Sequence, residues 1–174
     1  MSLISPFGDH TPVIADDVFV DPSARIIGQV ELQPGSSVWP GVVLRADSDR
    51  IVLGRGSAVL DLSLLEAPTG HPVIVAPGAL ISHQACLHGA TVETGALVGI
   101  GAIVLDGAVI GAGSLVAAGA VVPPRQVVPP RSLVVGQPAK VLRELRDDEL
   151  QRTQAQLAEV ADKAREYLKA AAGI

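Results

Sequence analysis

Aliphatic residues recur along this chain at six-residue intervals, with turn-forming residues between them. The recurring residues are Ile14, Val20, Ile26, Leu32, Val38, Leu44, Leu53, Val59, Leu65, Val75, Ile81, Leu87, Val92, Val98, Val104, Ile110, Val116, Val122, Val128 and Val134. A period of six is neither the 3.6-residue period of a helix nor the two-residue period of a long strand. It predicts strands of about two to four residues, each followed by a turn, wound into a solenoid with the aliphatic side chains inside.

The period slips in three places, and other architectures fit it less well. Leu44 to Leu53 spans nine residues, Leu65 to Val75 ten, and Leu87 to Val92 five. Insertions in a solenoid form loops on one side, often the functional one.

A β-sandwich of short strands would place turns every 8–12 residues. The uncharged stretch 107–124 resembles a membrane span, but its four glycines and terminal prolines assign it to the repeat instead.

The C-terminal part of the chain follows a different pattern. Twelve of the last 31 residues are charged, and apolar residues from Leu150 to Leu168 recur at helical spacing. Acidic residues at 147–149 would stabilise a helix N-terminus. The sequence therefore predicts a solenoid over 1–143 and a segment over 144–174 that forms one amphipathic helix, roughly 147–170.

Composition narrows the class of protein. Of the 174 residues, 48% are hydrophobic and only 2% aromatic, and the net charge is −5. An acidic chain with few aromatic side chains lacks the basic surface and stacking platforms of nucleic-acid binders. The single cysteine, Cys86, is typical of a reducing compartment. The first residues show neither a basic segment nor an apolar one, so we expect a cytoplasmic protein without a signal peptide.

Histidine is the scarce reactive side chain, with four in the chain. His83 and His88 are five residues apart and avoid the inward aliphatic positions, so both are predicted to project from the solenoid surface. His10 precedes the repeat and is not expected to take part in the site.

Three segments resemble the signatures of one family. They are SVWPGVVLRAD at 37–47, ISHQACLHG at 81–89 and GQPAK at 136–140. They resemble the γ-class carbonic anhydrases, members of the hexapeptide-repeat superfamily. The resemblance covers nearly the whole chain. It implies a left-handed parallel β-helix of triangular cross-section, with three hexapeptides to a coil.

The resemblance also implies a homotrimer with a metal site between subunits. Zinc, iron or cobalt would be held by three histidines, two from one chain and one from the next. His83 and His88 match two of these, but Glu66 occupies the third position. Three interpretations stay open: Glu66 is a carboxylate ligand, or it stands in a site that has lost its metal, or His71 supplies the third nitrogen.

Further family positions bear on assembly and activity. Arg45, Asp47 and Asp61 match residues that form ion pairs at the trimer interface. Ala58 and Leu60 stand where the family has an asparagine and a glutamine that orient bicarbonate. The expected activity, hydration of carbon dioxide, is therefore weak or lost.

Two other functions remain open from the sequence. One is a hexapeptide-type acyltransferase that uses His83 or His88 as general base, although the long substrate loop of such enzymes is not evident. The other is a non-catalytic trimeric scaffold or binding protein.

Overall fold

A computed structural model describes residues 3–171. The predicted parts 1–143 and 144–174 also include positions 1–2 and 172–174, which lie outside the described residues. The strands are β1 (Ile4–Ser5), β2 (Val13–Ile14), β3 (Phe19–Val20), β4 (Arg25–Leu32), β5 (Ser37–Val38), β6 (Val43–Leu53), β7 (Ala58–Val59), β8 (Leu64–Glu66), β9 (Val73–Val75), β10 (Leu80–Ile81), β11 (Cys86–His88), β12 (Thr91–Val92), β13 (Leu97–Val98), β14 (Ile103–Val104), β15 (Val109–Ile110), β16 (Leu115–Val116), β17 (Val121–Val122), β18 (Val127–Val128), β19 (Ser132–Val135) and β20 (Lys140–Glu144). One helix, α1, spans Asp147–Ala171.

The strands wind into a left-handed parallel β-helix of about seven turns, which confirms the predicted fold. The first face comprises β2, the second halves of β4 and β6, and then β9, β12, β15 and β18. The second face comprises β3, β5, β7, β10, β13, β16 and β19. The third face comprises β1, the first halves of β4 and β6, and then β8, β11, β14 and β17. These pairs are parallel, whereas β20 closes the solenoid antiparallel to β19.

The core is the column of aliphatic residues that the six-residue period predicts. From Ile26 to Val134 every one of them is buried, with an exposure of 1% or less. Ile14 and Val20 are only partly buried, because they belong to the open first coil. Short strands stack their aliphatic side chains directly on those of the next coil, so this thin core needs almost no aromatic rings.

The nine-residue slip after Leu44 was predicted to form a loop, but it lies within the longest strand, so the predicted strand length of two to four residues is wrong for β6. β6 continues past the corner between the third and first faces, and a bulge opposite Gly28–Val30 takes up the extra residues. Gly28 has a φ of +80°, and a Cβ there would lie 2.1 Å from the carbonyl oxygen of Ala46. The backbones approach so closely that only glycine fits.

Helix α1 packs on the second face, which confirms the predicted C-terminal helix. Phe19, Trp39 and Tyr167 form an aromatic cluster in this contact, with ring centroids 5.2–5.7 Å apart. Ala58 and Leu60 are buried in the same apolar cluster. Among residues 3–171 no helix has the length and apolarity needed to span a membrane.

Candidate metal centre

A row of charged side chains crosses the third face. Strand register places Glu66 level with Arg45 on one side and with His88 on the other. Successive side chains of a strand point alternately into the core and out of it. Leu44, Leu65 and Leu87 point into the core, so the residue that directly follows each of them points outward. Neighbouring coils thus bring together residues 21 and 22 positions apart in sequence.

One carboxylate oxygen joins the members of this row. Glu66 Oε1 accepts from a terminal guanidinium nitrogen of Arg45 and lies 3.8 Å from His88 Nε2. Arg45 also pairs with Asp47 Oδ2 at 3.1 Å. These two acidic partners, Glu66 first, raise the pKa of Arg45. Arg45 therefore already neutralises the oxygen that a metal would need.

The other ring nitrogen of His88 is held by a residue that the sequence did not indicate. His88 Nδ1 contacts Asp106 Oδ1 from the following coil. Gly89 makes room for this contact, since a Cβ there would lie 3.1 Å from Asp106 Oδ1 and 2.6 Å from His71 Cβ. Its φ of +60° also favours glycine.

His83 has the same arrangement at the opposite edge of the third face. It lies in the turn before β11, and its Nδ1 is 3.0 Å from Asp61 Oδ2. Asp61, predicted to take part in interfacial ion pairs, thus contacts a histidine within its own chain. When a carboxylate accepts the Nδ1 hydrogen, the Nε2 lone pair is left free to bind a metal.

The backbone of this turn is unusual. Gly41, Gly101 and Gly119 take positive φ at this corner in other coils, but here the residues are Leu62 (φ 60°) and Gln84 (φ 58°). Each directly follows a member of the Asp61–His83 pair. Left-handed conformations cost L-residues energy. Arg125 and Arg131 adopt them at two other corners, so the conformation by itself does not mark a site.

A single chain does not assemble the three predicted ligands. Glu66 and His88 stand together, whereas His83 lies across the width of β11. Within residues 3–171 no three His, Cys, Asp or Glu side chains form a group that could hold a metal ion. His71 packs beside Gly89 and Gly107 and does not complete such a group with Glu66 and His88 in one chain.

The separation of His88 Nε2 and Glu66 Oε1 is close to that of two ligand atoms on one zinc ion. Zinc–nitrogen and zinc–oxygen bonds of about 2.1 Å in tetrahedral geometry place two ligand atoms roughly 3.4 Å apart. The 3.8 Å between His88 Nε2 and Glu66 Oε1 needs only a small adjustment. Arg45 must give up the same oxygen.

Ala58 and Leu60 differ in their surroundings. Ala58 is buried under α1. Leu60 is buried too, but it also lines a cavity of about 260 Å³ together with Trp39, Asp61 and His83. Only Leu60 therefore borders the candidate site.

Two further reactive side chains are Cys86, which lies beside the charged row, and His10, which lies far from it. Cys86 is half-buried on the same strand as His88, and burial together with the charge of Glu66 raises the pKa of its thiol. His10 lies on the first coil, beside a shallow cavity lined by Glu31 and Arg50.

No sequence pattern indicated that Asp106 contacts His88, and the reason is geometric. The coil from Leu87 to Val104 has 17 residues because of the five-residue slip, so Leu105 is level with His88. Asp106 follows at the corner and turns back to the imidazole. Coil arithmetic would have indicated the right corner, but not the right residue.

Several known proteins are similar to this chain over most of its length. The chain is 36% identical over 165 residues to a carbonic anhydrase of Geobacillus kaustophilus, covering 95% of this chain and 91% of that one. It is 47% identical over 165 residues to the uncharacterized transferase YtoA of Bacillus subtilis, covering 95% and 96%. It spans about half (53%) of gamma carbonic anhydrase 2, mitochondrial, of Arabidopsis thaliana, at 36% identity over 148 residues. No family model matches the chain.

A solved structure shares the fold. The hexapeptide transferase family protein from Anaplasma phagocytophilum superposes with a TM-score of 0.89 and 32% identity, covering 93% of this chain and 96% of that one. The chain belongs to the γ-carbonic-anhydrase-like family of hexapeptide-repeat proteins.

Proposed function

We propose that the protein is a γ-carbonic-anhydrase-like homotrimer with a metal site between subunits and weak carbon dioxide hydration activity. The observation that carries the proposal is that His88 Nε2 and Glu66 Oε1 lie side by side, 3.8 Å apart, with His83 at the other edge of the same face. A neighbouring subunit that packs against this face would bring its His83 to the half-site. The single cysteine favours the cytoplasm.

In this proposal His88 and Glu66 of one chain and His83 of the next hold the metal: zinc, or alternatively iron or cobalt. When bound, a divalent ion lowers the pKa of a coordinated water toward neutrality and so supplies a nucleophile for carbon dioxide. Asp61 orients His83 through its Nδ1. Arg45 would also pair with a carboxylate of the adjacent subunit, and Asp47 with a cation there.

Two features of the chain favour low activity. Glu66 is both a more electron-donating ligand than imidazole and a partner of Arg45. Leu60 presents a hydrocarbon side chain to the cavity where a hydrogen-bonding group would orient bicarbonate. Losing one such donor typically costs on the order of 10²-fold in rate.

Metal analysis of protein purified without chelator, with stopped-flow carbon dioxide hydration, tests the proposal. We expect one metal per site, lost in His88→Ala but kept in His10→Ala, the matched control on the first coil. Wild-type protein without metal, or robust turnover that survives Glu66→Ala, would contradict it.

An acyltransferase activity is the second candidate. It is favoured by the His83–Asp61 pair at the edge of a cavity of about 260 Å³, which has the geometry of a general base with its orienting carboxylate. Turnover of acetyl-coenzyme A by metal-free protein, abolished in His83→Ala, would favour this function over hydration.

A further inference from the structure

Both histidines that the family likeness assigns to the metal share one feature. Each has its Nδ1 against an aspartate from a neighbouring coil: Asp61 for His83, and Asp106 for His88. Asp61 belongs to the family pattern described above. Asp106 belongs to none of the segments 37–47, 81–89 and 136–140 that resemble the family signatures.

We infer that Asp106 is the positioning residue of His88. Its Oδ1 accepts the Nδ1 hydrogen, which fixes the imidazole in the tautomer whose Nε2 lone pair faces Glu66. The inference rests on the proposed metal site and adds to it the residue that orients one ligand. Carboxylates in this role also make the imidazole a stronger donor to the metal.

The surroundings support a built contact rather than a chance surface pair. Gly89 leaves space for Asp106, where any side chain would meet the carboxylate at 3.1 Å. The corner holds Asp106 through the backbone, since its carbonyl accepts the amide of Arg125 and Gly107 N donates to Gly89 O. Asp106 keeps a side-chain exposure of 39%, so replacing it removes little packing.

The charged groups around His88 are arranged on opposite sides of its ring. Glu66 lies at Nε2 and Asp106 at Nδ1. If Asp106 were absent, the Nδ1 hydrogen would lose its acceptor, and the tautomer with hydrogen on Nε2 could donate to Glu66 instead. That tautomer cannot bind a metal through Nε2.

The test combines Asp106→Ala, Asp106→Asn and a control, Asp16→Asn, in which an exposed turn carboxylate at the far end of the solenoid is neutralised. Selective ¹⁵N labelling of the four histidines gives few imidazole signals. Long-range ¹H–¹⁵N spectra of the metal-free protein, at a pH above the usual imidazole range, then report the tautomer. Titration of the same full-length proteins with Zn²⁺ reports affinity.

We expect His88 to carry its hydrogen on Nδ1 in the wild type and in Asp16→Asn, and to shift to Nε2 in Asp106→Ala. Zinc affinity should fall by about 10–100-fold in Asp106→Ala. The fall should be smaller in Asp106→Asn, whose amide oxygen still accepts from Nδ1. Circular dichroism should show the same fold for all variants.

The experiment distinguishes a failure of the role of Asp106 from a failure of the proposed metal site. An unchanged tautomer in Asp106→Ala, or a changed tautomer with wild-type zinc affinity, overturns the role of Asp106 alone. Wild-type protein that binds no zinc overturns the proposed metal site and, with it, this role.

Discussion

Replacing Glu66 with histidine should strengthen metal binding, because the same oxygen now serves two partners. Glu66 Oε1 faces His88 Nε2 and accepts from Arg45. A metal that binds this oxygen must displace the guanidinium. Partly exposed ion pairs contribute up to about 1 kcal/mol, which corresponds to roughly fivefold in a binding constant. Glu66→His leaves Arg45 its pair with Asp47 at 3.1 Å, so the released charge keeps a partner.

Calorimetric titration of chelator-stripped protein with Zn²⁺ measures this change. We expect Glu66→His to bind about fivefold tighter than wild type. Glu66→Gln is the matched control: it also frees Arg45, but its neutral amide oxygen is a poor zinc ligand, so it should bind more weakly. If Glu66→His binds no tighter than wild type, or Glu66→Gln binds tighter, then Arg45 does not compete with the metal.

The remaining predictions concern Arg45, the positions Ala58 and Leu60, Gln84 and Glu149. Arg45→Ala should weaken the proposed trimer in sedimentation, because it removes the cation that would pair with a carboxylate of the adjacent subunit and leaves Glu66 without its partner; an unchanged assembly would contradict this. Leu60→Gln combined with Glu66→His should raise hydration rates above Glu66→His alone in stopped flow, whereas Ala58→Asn should instead lower stability by about 1–3 kcal/mol, since it buries an amide under α1. Gln84→Gly should stabilise the protein by about 0.5 kcal/mol in denaturant unfolding, because glycine relieves the positive φ at some entropic cost; Gln84→Ala should not. Arg143, together with the backbone amide of Arg146, lowers the pKa of Glu149 from 4.5 to about 2, so the stability that Glu149 contributes is complete above pH 4.5 and is lost as the pH falls through about 2. Melting temperatures of wild type and Glu149→Gln should therefore converge over this range, and a constant difference would refute the assignment.

The solenoid follows from the sequence because its information is local. Each coil repeats the same pattern, an inward aliphatic residue every six positions with a turn between. This pattern predicts the coil without any knowledge of contacts between distant residues. The buried column from Ile26 to Val134 follows from that spacing. The eleven-residue strand β6 does not, because the spacing predicted short strands and a loop at the nine-residue slip. The C-terminal helix follows from its own 3.6-residue pattern.

Contacts between coils were decided by the tertiary structure. The family likeness indicated positions such as His83, His88 and Glu66, but it did not indicate that Arg45 shares an oxygen with His88 or that Asp106 holds Nδ1. These contacts depend on how slips of three, four and minus one residues shift one coil against the next. A side chain at a corner can also contact a residue that is one position away from its partner in the strand register, as Asp106 contacts His88. A six-residue period specifies which residues face outward, whereas only the wound chain specifies which outward residues meet.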